Sequence, residues 1–204
     1  RDRAKRFGGV PLVTDVIPVQ GSEDELFRPR NSEREIYDFI LSEMNDIVNH
    51  LPTYPEQDGR ISKWAALSLK SRSMLYAASI ANFGTEQLDG LLGINNSDAN
   101  YYYLESLNAS REIIRSGIFS LYRKDPDPVK NFGDLFIDES NNSEVIFAEK
   151  YDYDEGKSHQ WDALAQPSGF GFNWSSNYTV YLETLEQFDF TDGSSGMLDR
   201  SIYD

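Results

Sequence analysis

The sequence predicts a mainly α-helical protein of helical hairpins, followed by a long aromatic loop region with few short strands. Before Gly117, three segments combine apolar residues at helical spacing with capping residues at their ends. After Gly117 these patterns lapse, although Phe, Trp and Tyr make up 13% of the 204 residues. We therefore expect a helical scaffold at 31–117 and a loop-rich part at 118–204 that carries the functional site.

The first predicted helix covers Asn31–Leu51. Ser32 followed by Glu35 three residues later is the pattern of a capping box, and Pro52 stops the helix. Apolar residues recur at helical spacing between these signals, at Ile36, Phe39, Ile40, Met44, Ile47, Val48 and Leu51. One face of this helix is therefore expected to be buried.

The second predicted helix, Ser62–Phe83, interleaves alanine with serine and ends before Gly84. Small side chains let a neighbouring helix approach closely. We expect that neighbour to be a third helix, Asp98–Ser116, which begins with Ser97 or Asp98 as a cap and ends at Gly117. The three helices should pack against one another.

Spacings in these helices half match the two-helix tetratricopeptide pattern, through Trp64, Leu67, Ala109 and Ile113. The loop between the second and third helices is long for that repeat. Ordinary helix packing would produce the same small-residue spacings, so the pattern leaves both interpretations open.

Past Gly117, "NFGDLF" predicts at most a single helical turn, "EVIFAEKYD" a short strand and "YTVYLETLEQF" a last short helix. The stretch 151–178 has no helical pattern. It does contain seven aromatic residues among Gly, Ser, Asn and Asp, namely Tyr151, Tyr153, Trp161, Phe170, Phe172, Trp174 and Tyr178. A long loop of this composition is typical of a binding region, because it is too aromatic to stay disordered.

Charge and composition exclude several classes of function. The net charge of −15 repels nucleic acid and anionic lipid, so we expect no nucleic-acid partner. With no Cys and only two His, we expect no metal site and no cofactor. The segment "YDYDEG" is a poor calcium loop because its glycine comes one place early and Ala163 stands where the closing Glu would be. We interpret its carboxylates as solvated.

The segment "RFGGVPLV" near the start has two glycines before a proline. Glycine adopts backbone angles closed to other residues, and Pro11 disfavours helix at Val10. We interpret the segment as the end of a helix followed by an extended crossing. We therefore expect the 204 residues to be an internal part of a longer chain.

Six segments together carry a family resemblance. In order, they are "RFGGVPLV", "RNSEREIYDFILSEMNDIVNHLP", "GRISKWAALSLKSRSMLYAA", "REIIRSGIF", "NSEVIFAEKYD" and "FDFTDG". Their succession, over most of the chain, resembles the SusD/RagB family of outer-membrane nutrient-binding lipoproteins of Bacteroidetes-type bacteria. The resemblance implies a tetratricopeptide-like helical fold and a surface-exposed, non-catalytic protein. Such a protein captures glycans, or sometimes peptides, and delivers them to a SusC-like TonB-dependent transporter in polysaccharide utilisation.

The family's lipid-modified Cys and the part that normally follows the Asp192-Gly193 turn are absent from this sequence. Attachment to the outer membrane through a lipid anchor is therefore implied by the resemblance alone. The glycan-contacting residues vary within the family, so no binding position is transferred from it.

The chemistry of sugar binding nominates residues in the aromatic loop. A pyranose stacks its apolar face on Trp or Tyr, and its hydroxyls require planar polar partners. We predict no catalytic residue, and we expect Phe170 and Phe172 to be buried in the loop. The predicted ligand-binding residues are Tyr153, His159, Trp161, Asn173, Trp174 and Tyr178.

Two other classes of function stay open at this point. A glycoside hydrolase would use two carboxylates, one with a raised pKa in an apolar cleft. A helical-repeat adaptor would bind protein or peptide on its concave helical face and would leave the loop aromatics without a role. The identity of the ligand, glycan or peptide, does not follow from the sequence.

Overall fold

The computed structural model describes residues 2–54, 59–138, 142–151, 154–159, 161–165, 180–199 and 201, and these are mainly helical. The chain forms two compact units, Arg1–Glu149 and Lys150–Asp204. The helices of the first unit are α1 (Asp2–Phe7), α2 (Glu23–Leu26), α3 (Glu33–Ile47), α4 (Lys63–Phe83), α5 (Ala99–Arg115) and α6 (Pro128–Ile137), with a 3-10 turn at Asn96–Asp98 before α5.

The three predicted scaffold helices are confirmed as α3, α4 and α5. Helix α3 is shorter than predicted, because residues 48–50 form a turn rather than a last helical turn. The glycine after α5 is confirmed as a stop, since Gly117 has a φ of +67°. Asp98 occupies the cap position of α5 without a side-chain hydrogen bond to the helix.

The capping box of α3 forms as predicted. Ser32 Oγ accepts from the backbone N–H of Glu35 at 3.2 Å, and the Glu35 carboxylate accepts from the backbone N–H of Ser32 at 2.7 Å. The Ser32 hydroxyl also donates to that carboxylate at 2.9 Å. The hydrogen bond from the backbone N–H of Ser32 is the main cause that holds the pKa of Glu35 below its usual value. The hydrogen bond from the Ser32 hydroxyl adds to it.

We expect Ser32→Ala to lower the free energy of unfolding at neutral pH by about 0.5–2 kcal/mol, the usual cost of a lost helix cap. The lowered pKa of Glu35 stabilises the fold above the carboxyl's unfolded pKa, and this contribution is lost as pH falls through the folded pKa. The deficit of the variant should therefore shrink in acid. Urea titrations at neutral and acidic pH measure it; a deficit equal at both would contradict the prediction.

Helix α4 is the centre of the helical unit. It contributes to two buried clusters, one with α1, α3 and α5 around Tyr37 and Tyr102, the other with α5 around Trp64. Ser73, Met74, Ala77 and Ala78 of α4 have no exposed surface. The alanines and serines of the sequence therefore act as predicted, because their small side chains let helices approach α4 closely.

Polar contacts also join α4 to α5. Ser71 Oγ lies 2.7 Å from Ser110 Oγ and shares a hydrogen bond between the two hydroxyls. The ammonium groups of Lys63 and Lys70 pair with α5 carboxylates at 2.6 and 2.7 Å, those of Glu112 and Glu105 respectively. A helix with polar groups on several sides can thus be central, because its neighbours satisfy them.

The Gly-Gly segment follows the end of α1, as predicted. Gly8 adopts a φ of +65°, and its N–H donates to the carbonyl of Ala4 at 2.8 Å. The chain then runs extended beside residue 31, where the side-chain oxygen of Asn31 accepts from the N–H of Leu12 at 2.9 Å. The Arg30 guanidinium donates to the carbonyls of Phe7 and Gly9, which fixes this crossing.

The prediction of at most one helical turn at "NFGDLF" is wrong, because α6 is ten residues long. Asp127 accepts from the N–H groups of Val129 and Lys130, and Pro128 occupies the first turn. Lys130 then pairs with Asp125 and Asp134, both at 2.7 Å. The cap and the first turn thus begin the helix before "NFGDLF", and the charge pairs lie along it.

The predicted strand at "EVIFAEKYD" is also wrong. In the described residues the strand pairing is limited to an isolated antiparallel bridge between Gln87 and Leu92. The segment is instead held by single contacts near its start. Ser143 O accepts from the N–H of Ser120 at 3.0 Å, and the Glu144 carboxylate accepts from that of Tyr122 at 2.9 Å. Residues that favour β-structure form a strand only where a second strand pairs with them.

The unit Lys150–Asp204 contains two short helices among its described residues, α7 (Trp161–Ala165) and α8 (Leu182–Leu185). The second confirms the predicted last short helix in reduced length. The first interrupts the stretch predicted to lack helix, because "WDALA" supplies good helix formers after a capping group at residue 159. Across the described ranges, no helix is both long and apolar enough to span a bilayer.

Candidate ligand-binding site

Two of the six predicted site residues, His159 and Trp161, lie in the part of the chain that the structure describes. The other four, Tyr153, Asn173, Trp174 and Tyr178, lie outside the described residues, as do Phe170 and Phe172. The candidate site is therefore built here from His159, Trp161 and their described neighbours, and the ligand-binding role of all six residues stays a prediction.

His159 contacts the backbone of Trp161 and the ring of Tyr151. Its Nδ1 accepts a hydrogen bond from the backbone N–H of Trp161 at 3.2 Å, and its ring meets the ring of Tyr151 edge-on, with centroids 4.5 Å apart at 87°. The first N–H groups of a helix have no acceptor within the helix, so the imidazole acts as the cap of α7. With Nδ1 as acceptor, the neutral imidazole carries its proton on Nε2.

The aromatic rings of this cluster are exposed. The side chain of Trp161 is 59% exposed and that of Tyr151 is 49% exposed. An indole ring held at the start of a helix with most of its face in water is a surface on which another ring can stack. Tyr151 was recognised as one of the loop aromatics and missed as a site residue, and its contact with His159 is what adds it.

The charged residues close to the cluster in the sequence form an exposed ion pair. The Lys157 ammonium lies 3.1 Å from the Glu155 carboxylate, and both side chains are about two-thirds exposed, so this pair contributes little to stability. Among the described residues, no three histidine, aspartate or glutamate side chains come together as metal ligands would. Asp152 of the calcium-like segment lies outside the described ranges.

The carboxyl groups with shifted pKa values do not resemble a glycosidase acid. A hydrogen bond from Lys130 lowers the pKa of Asp125, and hydrogen bonds from Ser194 and Ser201 lower those of Asp192 and Asp199. A general acid for glycoside cleavage requires a raised pKa. The pKa values of Asp125, Asp192 and Asp199 are lowered instead, because hydrogen-bond donors stabilise each of these carboxylates.

The structure thus describes a helical unit and, in the second unit, an exposed cluster of Tyr151, His159 and Trp161. The chain is similar to a protein of Bacteroides ovatus named as SusD-like, with 24% identity over 192 residues, 91% of this chain and 31% of that protein. A second SusD-like protein, from Formosa agariphila, is 26% identical over 162 residues, 76% of this chain and 26% of that protein.

The chain spans less than a third of the length of these curated relatives. No family model and no solved structure matches it. The relatives' names suggest a SusD-like protein, and the helical structure is compatible with a SusD-like helical fold.

Proposed function

We propose that this chain is part of a non-catalytic SusD-like protein that binds glycans at the cell surface and delivers oligosaccharides to a SusC-like TonB-dependent transporter. Two things support the family assignment: the six segments that resemble the SusD/RagB family, and the two SusD-like relatives at 24% and 26% identity. The proposed ligand is a glycan because the exposed rings and polar groups of the candidate site suit a sugar.

The observation that carries the binding proposal is the exposed indole of Trp161 beside the Tyr151–His159 pair. A sugar ring that stacks on the indole replaces water on two apolar surfaces at once. The imidazole Nε2–H, the Tyr151 hydroxyl and nearby carboxylates are the hydrogen-bonding groups that a sugar's hydroxyl rim requires. We expect Tyr153, Asn173, Trp174 and Tyr178 to complete this surface.

The proposed location is the outer membrane, with the protein attached by a lipid anchor and exposed at the surface. The net charge of −15 gives this part of the protein no electrostatic attraction to an anionic lipid surface, so the proposed attachment rests on the SusD/RagB resemblance alone. Contact with the transporter would then depend on protein surfaces rather than on a general attraction between charges.

The hydrolase and adaptor alternatives have less support. The lowered pKa values of Asp125, Asp192 and Asp199 suit solvated, hydrogen-bonded carboxylates rather than a proton donor. An adaptor that used its helices alone would have no use for an exposed tryptophan in the second unit.

We expect Trp161→Ala to weaken glycan binding about fivefold, which corresponds to the lower end of the stacking energies known for bases on aromatic side chains. Phe188→Ala, which removes an aromatic side chain exposed in the same unit, is the matched control and should bind like the unchanged chain. Isothermal titration with neutral and acidic oligosaccharides measures both affinities, and circular dichroism checks the fold.

Equal affinity of the Trp161→Ala variant and the unchanged chain for every bound glycan would contradict the proposed site. Mixtures of the protein with a polysaccharide also test for catalysis. Reducing ends released from a polysaccharide, and lost with a single carboxylate substitution, would favour the hydrolase instead.

A further inference from the structure

A polar groove crosses the helical unit between α3 and the start of α5. It encloses about 520 Å³ and is open to solvent on one side. Its polar lining consists of Arg34, Asp38, Ser42 and Asn45 from α3, Asp98 from the turn before α5, and Tyr101 from α5. The groove thus combines donors, acceptors and one aromatic ring, all carried by helices rather than by loops.

The charged groups at one end of the groove are fixed by partners. Arg34 Nε lies 3.1 Å from the Asp98 carboxylate and 3.8 Å from that of Asp38. The hydroxyl of Tyr102, a buried residue of α5, donates to the other oxygen of Asp38 at 2.6 Å. Burial and this hydrogen bond to Asp38 raise the pKa of Tyr102, so the phenol keeps its proton and continues to donate.

Asn45 is fixed at the other end. Its Oδ1 accepts from the Lys70 ammonium at 2.7 Å, and the same ammonium pairs with Glu105 at 2.7 Å. Because the amide oxygen is engaged, the amide nitrogen is the atom that can donate to a ligand. Ser42, one turn before Asn45 on α3, adds a hydroxyl that can donate or accept.

Tyr101 supplies the apolar surface. Its side chain is 52% exposed, and its ring centroid lies 5.3 Å from that of the buried Tyr102, which limits its movement. Partial burial, together with the carboxylates of Glu105 and Asp38, raises the pKa of Tyr101. The ring therefore stays neutral and offers an apolar face beside the polar groups.

We propose that this groove is a second saccharide-binding site, which takes one neutral sugar unit with its ring on Tyr101 and its hydroxyls on Asp38, Arg34 and Asn45. The inference rests on the proposed function, because it assumes a glycan ligand, but it concerns a different part of the chain. Neighbouring sugar hydroxyls both donate and accept, which matches fixed donors and acceptors placed side by side.

The charges of the groove disfavour an acidic ligand. Asp38 and Asp98 repel an acidic sugar, and the net charge of −15 adds to that repulsion. A sugar with polar hydroxyls and no charge avoids this penalty.

Arg34 is fixed by its closer ion pair with Asp98, at 3.1 Å, and still keeps most of its side chain in water. Its side chain is 57% exposed and that of Asp38 is 47% exposed, so their ion pair contributes little to stability. The hydrogen bond between Tyr102 and Asp38 already joins α3 to α5 without it. A fixed, exposed guanidinium at the edge of a groove is instead what hydroxyl recognition uses, because its fork of N–H donors is rigid.

The test is a titration of the whole chain with neutral hexose oligosaccharides, namely maltohexaose, cellohexaose, laminarihexaose and mannohexaose. NMR of isotope-labelled protein follows the Tyr101 ring and the Asn45 side-chain amide. Tyr101→Ala and Asn45→Ala remove the platform and the donor, and Tyr54→Ala is the control because Tyr54 is an exposed tyrosine that does not line the groove.

At least one probe is expected to shift the Tyr101 and Asn45 signals. Tyr101→Ala should weaken that response about fivefold, and Tyr54→Ala should leave it unchanged. Binding that moves no groove signal and is lost in Trp161→Ala would overturn the groove while the proposed function stands. If no probe binds at millimolar concentration, the groove proposal is overturned. If acidic glycans or peptides then bind through Trp161, only the neutral second site has failed.

Discussion

Met74→Ala is expected to lower the free energy of unfolding by about 2–5 kcal/mol, the range for truncating a buried Leu, Ile or Met. Met74 has no exposed surface and lies in the cluster that joins α4 to α1, α3 and α5. Its removal leaves a cavity that the surrounding helices cannot fill without moving. Urea unfolding followed by the helical circular dichroism signal measures the loss.

The matched control is Leu75→Ala, one residue along the same helix. Leu75 is 49% exposed, so its truncation removes less buried surface and should cost less than about 1 kcal/mol. Equal losses for the two variants would show that α4 is not buried on the side that the structure indicates.

Gly93→Ala is expected to be nearly as damaging, for a different reason. Gly93 has a φ of +83°, and a methyl group added there would lie 2.6 Å from the carbonyl oxygen of Thr85 and 2.9 Å from the Cα of Glu86. The left-handed conformation costs about 1–2 kcal/mol for an alanine. The clash with backbone adds about 1–3 kcal/mol, the usual cost of overpacking.

Gly90→Ala separates these two causes. Gly90 also has a φ of +83°, but no atom lies within 4 Å of the position that its methyl group would take. This variant should therefore lose only the conformational part, about 1–2 kcal/mol. If both alanine variants unfold at the same urea concentration, the close approach between Gly93 and residues 85–86 is not present in solution.

The scaffold helices could be predicted because their signals are local. The box of Ser32 and Glu35 and the stop at Gly117 are read within one helical turn, and the structure forms both. The closeness of α4 and α5 was also accessible, since alternating alanine and serine predict a close neighbour.

The two errors have different causes. The signals of α6 are local, with Asp127 as its cap and Pro128 in its first turn, but they lie before the segment "NFGDLF". The segment "EVIFAEKYD" has the β-branched and aromatic residues of a strand, yet it finds no partner in the described part of the chain. Strand pairing depends on a second segment elsewhere in the chain, so the residues of the segment itself do not show whether a partner strand exists.

Only part of the proposed binding surface could be predicted from the sequence. Trp161 and His159 were nominated because aromatic and polar residues cluster along the chain, and their binding role stays a prediction. The groove on the helices was missed, because it brings Arg34 and Asp38 of α3 to Asp98 and Tyr101 at the start of α5. Each of these residues alone is an ordinary helix-surface residue, and their spacing in the sequence gives no indication of a shared groove.

The central position of α4 affects how quickly the helical unit can form. Helix α4 packs against α3, which precedes it in the chain, and against α5, which follows it. Each contact closes a connection of moderate length, so little loop-closure entropy is lost before buried contacts compensate for it. Such a low contact order is typical of fast folding. The helical unit can therefore collapse around α4 early, before contacts between distant parts of the chain are required.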